Sequence, residues 1–252
     1  MHSTSQFKTA DVFRNDRLRT GNQTLDILLD GGLETGMMYL FYGDPLLHDD
    51  LHRLAVQAQL PPKRGGLGSS CLIIDSANML RRNILMDCSY ELGLEPEDVN
   101  DRIFISRAFN SSQTYDLVIN QLDDFIDEVS PRLVLLPGFP DLYTKEGLDP
   151  EMMQQLTHLA IYVMIFTMKH NIITVVSAKP SEFKSTVPSG GKALASSSQV
   201  HILVHQSPMR IIYELMKHPS LPHRRESRAK TTGRFGTTLP LEFFIKEWQA
   251  EE

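Results

Sequence analysis

The sequence is poor in cysteine, with two in 252 residues, Cys71 and Cys88. Two thiols cannot staple a small fold, and no Cys-x-x-Cys or Cys/His cluster spells out a zinc site. Both read as small apolar core residues in a reducing compartment. Long apolar runs are also missing. The longest, Leu159 to Phe166, is too short to span a bilayer and suits a buried helix. The opening stretch MHSTSQFKTADVF lacks the apolar centre of a secretory leader. Positive charge is not in excess. A net charge of −6 and a pI near 5.8 give no global signature for nucleic acid or acidic lipid. These absences point to a soluble, intracellular, cytoplasmic protein without a membrane partner.

What is present is enough apolar material, 41% of the chain, for one full core. Strand-like and helix-like segments alternate. Met38 to Tyr42, CLIID (Cys71 to Asp75), RIFIS, RLVLLPG (Arg132 to Gly138) and NIITVVSA read as strands. Between them, Leu51 to Leu60, Arg81 to Leu92, SSQTYDLVINQLDDFIDEV and Asp149 to His170 have helical spacing. Gly93 suits a helix C-terminus, and Asp149 followed by Pro150 suits an N-terminus. Apolar strands separated by helices imply a parallel sheet covered on both faces. The final third differs: VHILVH, RIIYEL and LEFFIKEW read as strands without intervening helices, hence antiparallel. The fold class expected is α/β, a mostly parallel sheet flanked by helices with a β-rich antiparallel C-terminal part.

One stretch stands where a phosphate cradle belongs. YGDPLLHDDLHRLAV, Tyr42 to Val56, follows a strand and opens into a helix. A P-loop counted from Gly43 would need glycine, lysine and a hydroxyl residue, where this chain has His48, Asp49 and Asp50.

Several segments, in order, resemble the RecA/RadA recombinase family, in its archaeal RadA and eukaryotic branch. TGNQTLDILLDGGLETG (Thr20 to Gly36) is similar to the family's T-G-S-x-x-L-D-x-L-L-G-G-G-I-E-T-G. LAVQAQLPPKRGG resembles the first helix and its following loop. SRAFNSSQ, PSGGKALASSSQVHI and HPSLP resemble three later family segments. The resemblance runs from about Phe7 to Pro222 and implies a RecA-like core. It divides the chain into a linker, residues 1–19, and a core, residues 20–252.

The same resemblance exposes four departures. The segment after Gly43 is two residues short and has no further glycine or lysine. Ala77 stands where the family has the glutamate that positions water, and Pro137 where it has a magnesium-associated aspartate. Lys217 or His218 replaces an interfacial aspartate. Carboxylates in place of a lysine repel a triphosphate, and no glycine-rich nest remains for it. The implication is a degenerate phosphate site at Gly43, Asp49 and Asp50, a pseudo-ATPase without cofactor. Asp49 and Asp50 are expected to satisfy the helix N-terminus in place of phosphate, each contributing about 0.3–1 kcal/mol.

His48 and His52, at i and i+4 around Asp49, have metalloprotease spacing but no third ligand, so they read as a solvated first helical turn. No acid–base constellation accompanies Asp75 or Asp141. FKTA supplies Phe7 and Ala10 in the F-x-x-A pattern with which family members dock on a neighbouring subunit. The resemblance implies a receiving surface around Ser106 and Leu117, and a packed N-terminal segment is the alternative. Lys184 and Lys192 lie in a shortened loop that contacts DNA in the family. Arg224, Arg225, Arg228 and Lys230 form the one dense basic run, readable as a phosphate-backbone contact or as a solvated segment.

The resemblance therefore implies a catalytically inactive paralogue of RadA. It would act as an accessory or mediator in homologous recombination and DNA repair, with a RadA-type recombinase or another paralogue as partner. A homo-oligomer stays open, as does direct contact with single-stranded DNA. The alternatives are a stand-alone single-stranded nucleic-acid-binding protein and a weak ATPase with an atypical phosphate site.

Overall fold

A computed structural model describes residues 16–182 and 184–230. Phe7, Ala10, Phe183 and the LEFFIKEW stretch lie outside the described residues.

The chain enters through a short strand, β1 (Arg17–Leu18), paired antiparallel with β2 (Leu33–Glu34) across helix α1 (Gln23–Leu28). Leu18 is fully buried, and the Arg19 amide donates to the Gly65 carbonyl at 2.8 Å. Residues 16–19 are thus bonded into the body that follows.

Strand and helix then alternate as the apolar pattern dictates. β3 (Met38–Gly43) leads to α2 (Leu47–Gln57), and β4 (Cys71–Asp75) to α3 (Arg82–Glu91) and α4 (Pro96–Asn100). β5 (Ile103–Arg107) is followed by α5 (Ser111–Ile119) and α6 (Leu122–Val129). β6 (Leu133–Leu136) leads to α7 (Asp141–Glu146) and α8 (Pro150–His170), and β7 (Ile173–Ala178) to α9 (Gly191–Ser197). The described chain closes on β8 (Val200–Gln206), β9 (Arg210–Lys217) and β10 (Arg224–Ala229). The eight-stranded sheet has the order β10-β9-β8-β3-β7-β6-β4-β5. Pairing is parallel from β8 through β5 and antiparallel along β8, β9 and β10.

Successive side chains of a strand point to opposite faces, so two cores form. Tyr39, Phe41, Ile73 and Leu135 pack with α2 on one face. Leu40, Tyr42, Ile74 and Val134 pack with α8 on the other. Each buried leucine-sized side chain contributes roughly 1.5–3 kcal/mol. Among the described residues no helix is long and apolar enough to cross a membrane.

Two sequence expectations are corrected. The run expected as one helix from Ser111 to Val129 is two. Asn120 and Gln121 donate their side-chain amides to the Asp116 carboxylate at 2.8 and 2.6 Å, which breaks the helix after Ile119. The basic run is not a solvated segment throughout either. Residues Arg224–Ala229 form an edge strand in register with β9, where Glu226 faces Tyr213 and Arg228 faces Ile211.

Candidate functional site: the closed phosphate turn and the open sheet edge

Gly43 ends β3 with a φ of 119°, a conformation that favours glycine. A Cβ there would lie 2.0 Å from the Val204 carbonyl oxygen of β8. Close approach of two strands therefore accounts for this glycine.

Three residues, Asp44 to Leu46, connect β3 to α2. Within them the backbone is spent locally. The Leu46 amide donates to Asp44 Oδ1 at 3.0 Å. The amides of Leu47, His48 and Asp49 donate to the carbonyls of Asp44, Pro45 and Leu46 at 3.1, 3.0 and 3.1 Å. The Asp44 amide donates to the Val204 carbonyl, and Asp44 Oδ2 accepts from Gln206. A helix N-terminus binds anions through unsatisfied amides. Here those of residues 44 and 46–49 are satisfied.

That geometry overturns the expectation that Asp49 and Asp50 cap the helix. No side chain caps α2 at its N-cap residue, Leu46, and the capping work in the turn falls to Asp44. Asp50 points the other way, 4% exposed, into a buried polar cluster. Its Oδ1 accepts from Asn22 Nδ2 at 2.8 Å and its Oδ2 from the Tyr213 hydroxyl at 2.8 Å. Arg228 Nε donates to the same hydroxyl at 3.3 Å. Burial holds the Asp50 carboxyl above the ordinary carboxylate range, against the opposing pull of Arg228 and the two hydrogen bonds. Asn22 also caps α1 through Oδ1 and the Thr24 amide. The cluster thus ties α1, α2, β9 and β10 together. Asp49, half-buried, acts on the cluster through its charge, which opposes ionisation of Asp50 and favours that of Arg228.

The histidine pair is not a solvated turn. His52 is 1% exposed; its Nε2 accepts from the Arg81 amide at 2.9 Å, which leaves Nδ1 to donate to the His48 carbonyl at 2.6 Å. Burial lowers the pKa of both rings. Among the described residues no group of His, Cys, Asp and Glu could hold a metal.

Above the C-terminal ends of the strands lies a cavity of ≈ 340 Å³, bordered by Pro45, His48, Asn78, Asp141, Lys145 and Lys179. Such crevices bind ligands in open α/β sheets. Its one ion pair is Lys179 Nζ with Asp141 Oδ2 at 3.8 Å, and burial raises the Asp141 carboxyl pKa. His48 Nε2 is 3.4 Å from the Ser177 hydroxyl. Ala77 and Pro137 stand where the resemblance locates catalytic acids, and their loops are zipped together. The Ser76 amide donates to the Pro137 carbonyl at 3.1 Å, and a Cβ on Gly138 would come within 2.7 Å of the Ala77 Cβ. Asp75 is consumed nearby by the amides of Ala77, Met79 and Leu80, each at 3.1 Å.

At the opposite end of the sheet, β5 pairs with β4 alone among the described residues and forms the edge. Phe104 is 39% and Ile105 43% exposed on it. Ser106, half-buried, lies on this strand, and Leu117, half-buried, on α5. A shallow groove of ≈ 430 Å³ runs from Arg107 past Gln113 and Leu117 to Gln121. Sequence reasoning named Ser106 and Leu117 but passed over the exposed pair Phe104 and Ile105. Two adjacent apolar residues exposed on one strand mark an edge, a cue available only once the strand order is known.

The proposed DNA-contacting residues are scattered. Lys184 is exposed in the middle of the loop before α9, and Lys192 is exposed in the first turn of α9. Arg224 Nε donates to the Leu28 carbonyl at 2.7 Å, and Arg228 is held on Tyr213. Arg225, exposed, pairs with Glu214 at 3.5 Å. Lys230 donates its amide to the Met209 carbonyl.

Residues 14–232 match the family model described as Rad51. One relative is the DNA repair and recombination protein RadA of Metallosphaera sedula. It is 28% identical over 235 residues, which cover 86% of this chain and 72% of that protein. With the order of strands, the two-faced core and a family match across most of its length, this chain belongs to the Rad51 family, a branch of the RecA/RadA recombinases.

Proposed function

We propose that the protein serves recombination and DNA repair as a catalytically inactive member of its family, an accessory that docks on a recombinase or on another paralogue. The observation that carries the inactive part is the turn between β3 and α2. In this three-residue turn Pro45 has no N–H and the amides of Asp44 and Leu46 are already bonded, so it offers a triphosphate no nest. Nor do the acids that the resemblance leads one to expect stand there. Pro137 takes the place of the magnesium-associated aspartate and Ala77 that of the water-positioning glutamate, Asp75 is bonded to three amides and Asp141 faces Lys179.

Docking is supported by the β5 edge. An uncovered strand offers backbone donors and acceptors to an added strand, and a neighbouring groove can seat an anchor side chain. Phe7 and Ala10 would supply the reciprocal contact to the neighbour. The docking linker expected over residues 1–19 is then shorter, because Arg17 and Leu18 already pair with β2 as part of the degenerate core.

Calorimetry with magnesium-ATP tests the first half. No heat and no thermal shift are expected, and micromolar binding would defeat the inactive reading. Capture of a RadA-type recombinase tests the second. Loss of capture in Phe7→Glu is expected, and undiminished capture would remove the linker from the interface.

A further inference from the structure

The long helix α8 presents a face that its own described neighbours leave uncovered. Gln154, His158, Ile161, Ile165 and Met168 are all exposed, the last three by 42%, 55% and 58%. Their spacing is 4-3-4-3, the heptad stripe of a helix that pairs with another helix. From Met152 to Met168 the helix has no Asp, Glu, Lys or Arg. A solvent-facing helix is ordinarily charged on its outer side. Here the only charged residues are Glu151 at the start and Lys169 at the end.

We propose that α8 is a dimer interface, occupied by α8 of a second copy lying parallel and in register. The flanks of the helix select this arrangement. On one side α6 carries the exposed Asp124, Asp127 and Glu128, while its Asp123 is already held by α8, accepting from the Tyr162 hydroxyl at 2.6 Å and pairing with Lys169 at 3.3 Å. On the other side α9 carries Lys192 and no acid. A two-fold axis perpendicular to the helices would lay the acidic flank of one copy on the acidic flank of the other. An axis along the helices lays it on the partner's α9 flank instead. Like charges across an interface are costly and opposite ones set its register. The parallel arrangement also stacks Ile161 on Ile161, Ile165 on Ile165 and Met168 on Met168, an isologous apolar seam. This surface is separate from the β5 edge, so one copy can engage both.

The test is the mass of the full chain in solution, by light scattering over a range of concentrations. A species of twice 28.6 kDa is expected. The double substitution Ile161→Asp with Ile165→Asp should weaken self-association by about 100-fold or more, since a charged pair replaces the centre of the seam. Single variants Ile161→Cys and Met168→Cys should each cross-link to themselves under oxidation. Cys71 and Cys88 are buried and stay silent, and Ile27→Cys on α1, 54% exposed, serves as control. A monomer at every concentration overturns the proposal, whatever else covers the face. So does a dimer that survives the double substitution, because it uses another surface. Cross-linking at Ile161 without Met168 means antiparallel helices and overturns the register.

Discussion

The turn after β3 and the edge strand β5 belong to one sheet, with three strands between β3 and β5, and their polar groups have opposite fates. At the turn the amides of residues 44 and 46–49 each have a partner, and the nearest deeply buried carboxylate faces inward to Asn22 and Tyr213. At β5 one side of the backbone has no partner strand among the described residues, and Phe104 and Ile105 are exposed with it. Exposed apolar edges are liabilities that proteins usually blunt with charge or cover. On the function proposed above, closing the first region while leaving the second open suits a body that binds a chain and not a nucleotide.

The largest effect that would sharpen this contrast belongs to Asp50. Asp50→Ala removes from a buried site the acceptor of the Tyr213 hydroxyl and one of the two acceptors of Asn22 Nδ2, which keeps its bond to that hydroxyl, at about 3 kcal/mol by denaturant titration. A loss below ~1 kcal/mol would mean that the cluster does not hold the closed turn in place. Gly43→Ala comes next. Its Cβ meets the Val204 carbonyl, so strand separation should cost about 1–3 kcal/mol. If the variant instead kept its stability and changed nucleotide binding, the turn would be a working phosphate site and the comparison would break. Asp44→Ala removes the acceptor for the Leu46 amide and for Gln206, and should cost ~1 kcal/mol, whereas Asp49→Asn should stay within about 0.5 kcal/mol. Equal losses at both positions would restore the expectation that Asp49 caps α2. The smallest change in stability is expected for Phe104→Lys, within about 0.5 kcal/mol. Its readout is capture of the recombinase, which should fall, and unchanged capture would make β5 an idle edge.

Much of the fold was legible because burial on both faces writes a plain code: CLIID, LVLL and ITVVSA are strands wherever they fall. Asp149 and Pro150 announced the start of α8 for an equally local reason. β10 was hidden. Its RRESRA carries no apolar side chain except alanine, since an edge strand bonded on one side need bury little, and its arginines read as a solvated run. The shortness of the turn after Gly43 could be counted in the sequence, but the direction of Asp50 could not. Asn22 and Tyr213 lie 28 and 163 residues away, and nothing local reports that their polar atoms converge on one carboxylate.

The three-residue turn also has a kinetic meaning on the reading proposed above. A protein that binds and cleaves a nucleotide carries a timer, because its switch segments are held by the γ-phosphate and released on hydrolysis. A body whose turn is sealed by its own amides has none. Its time on a partner then follows from concentration and dissociation rate alone, so the cell would adjust it by how much of the chain is made.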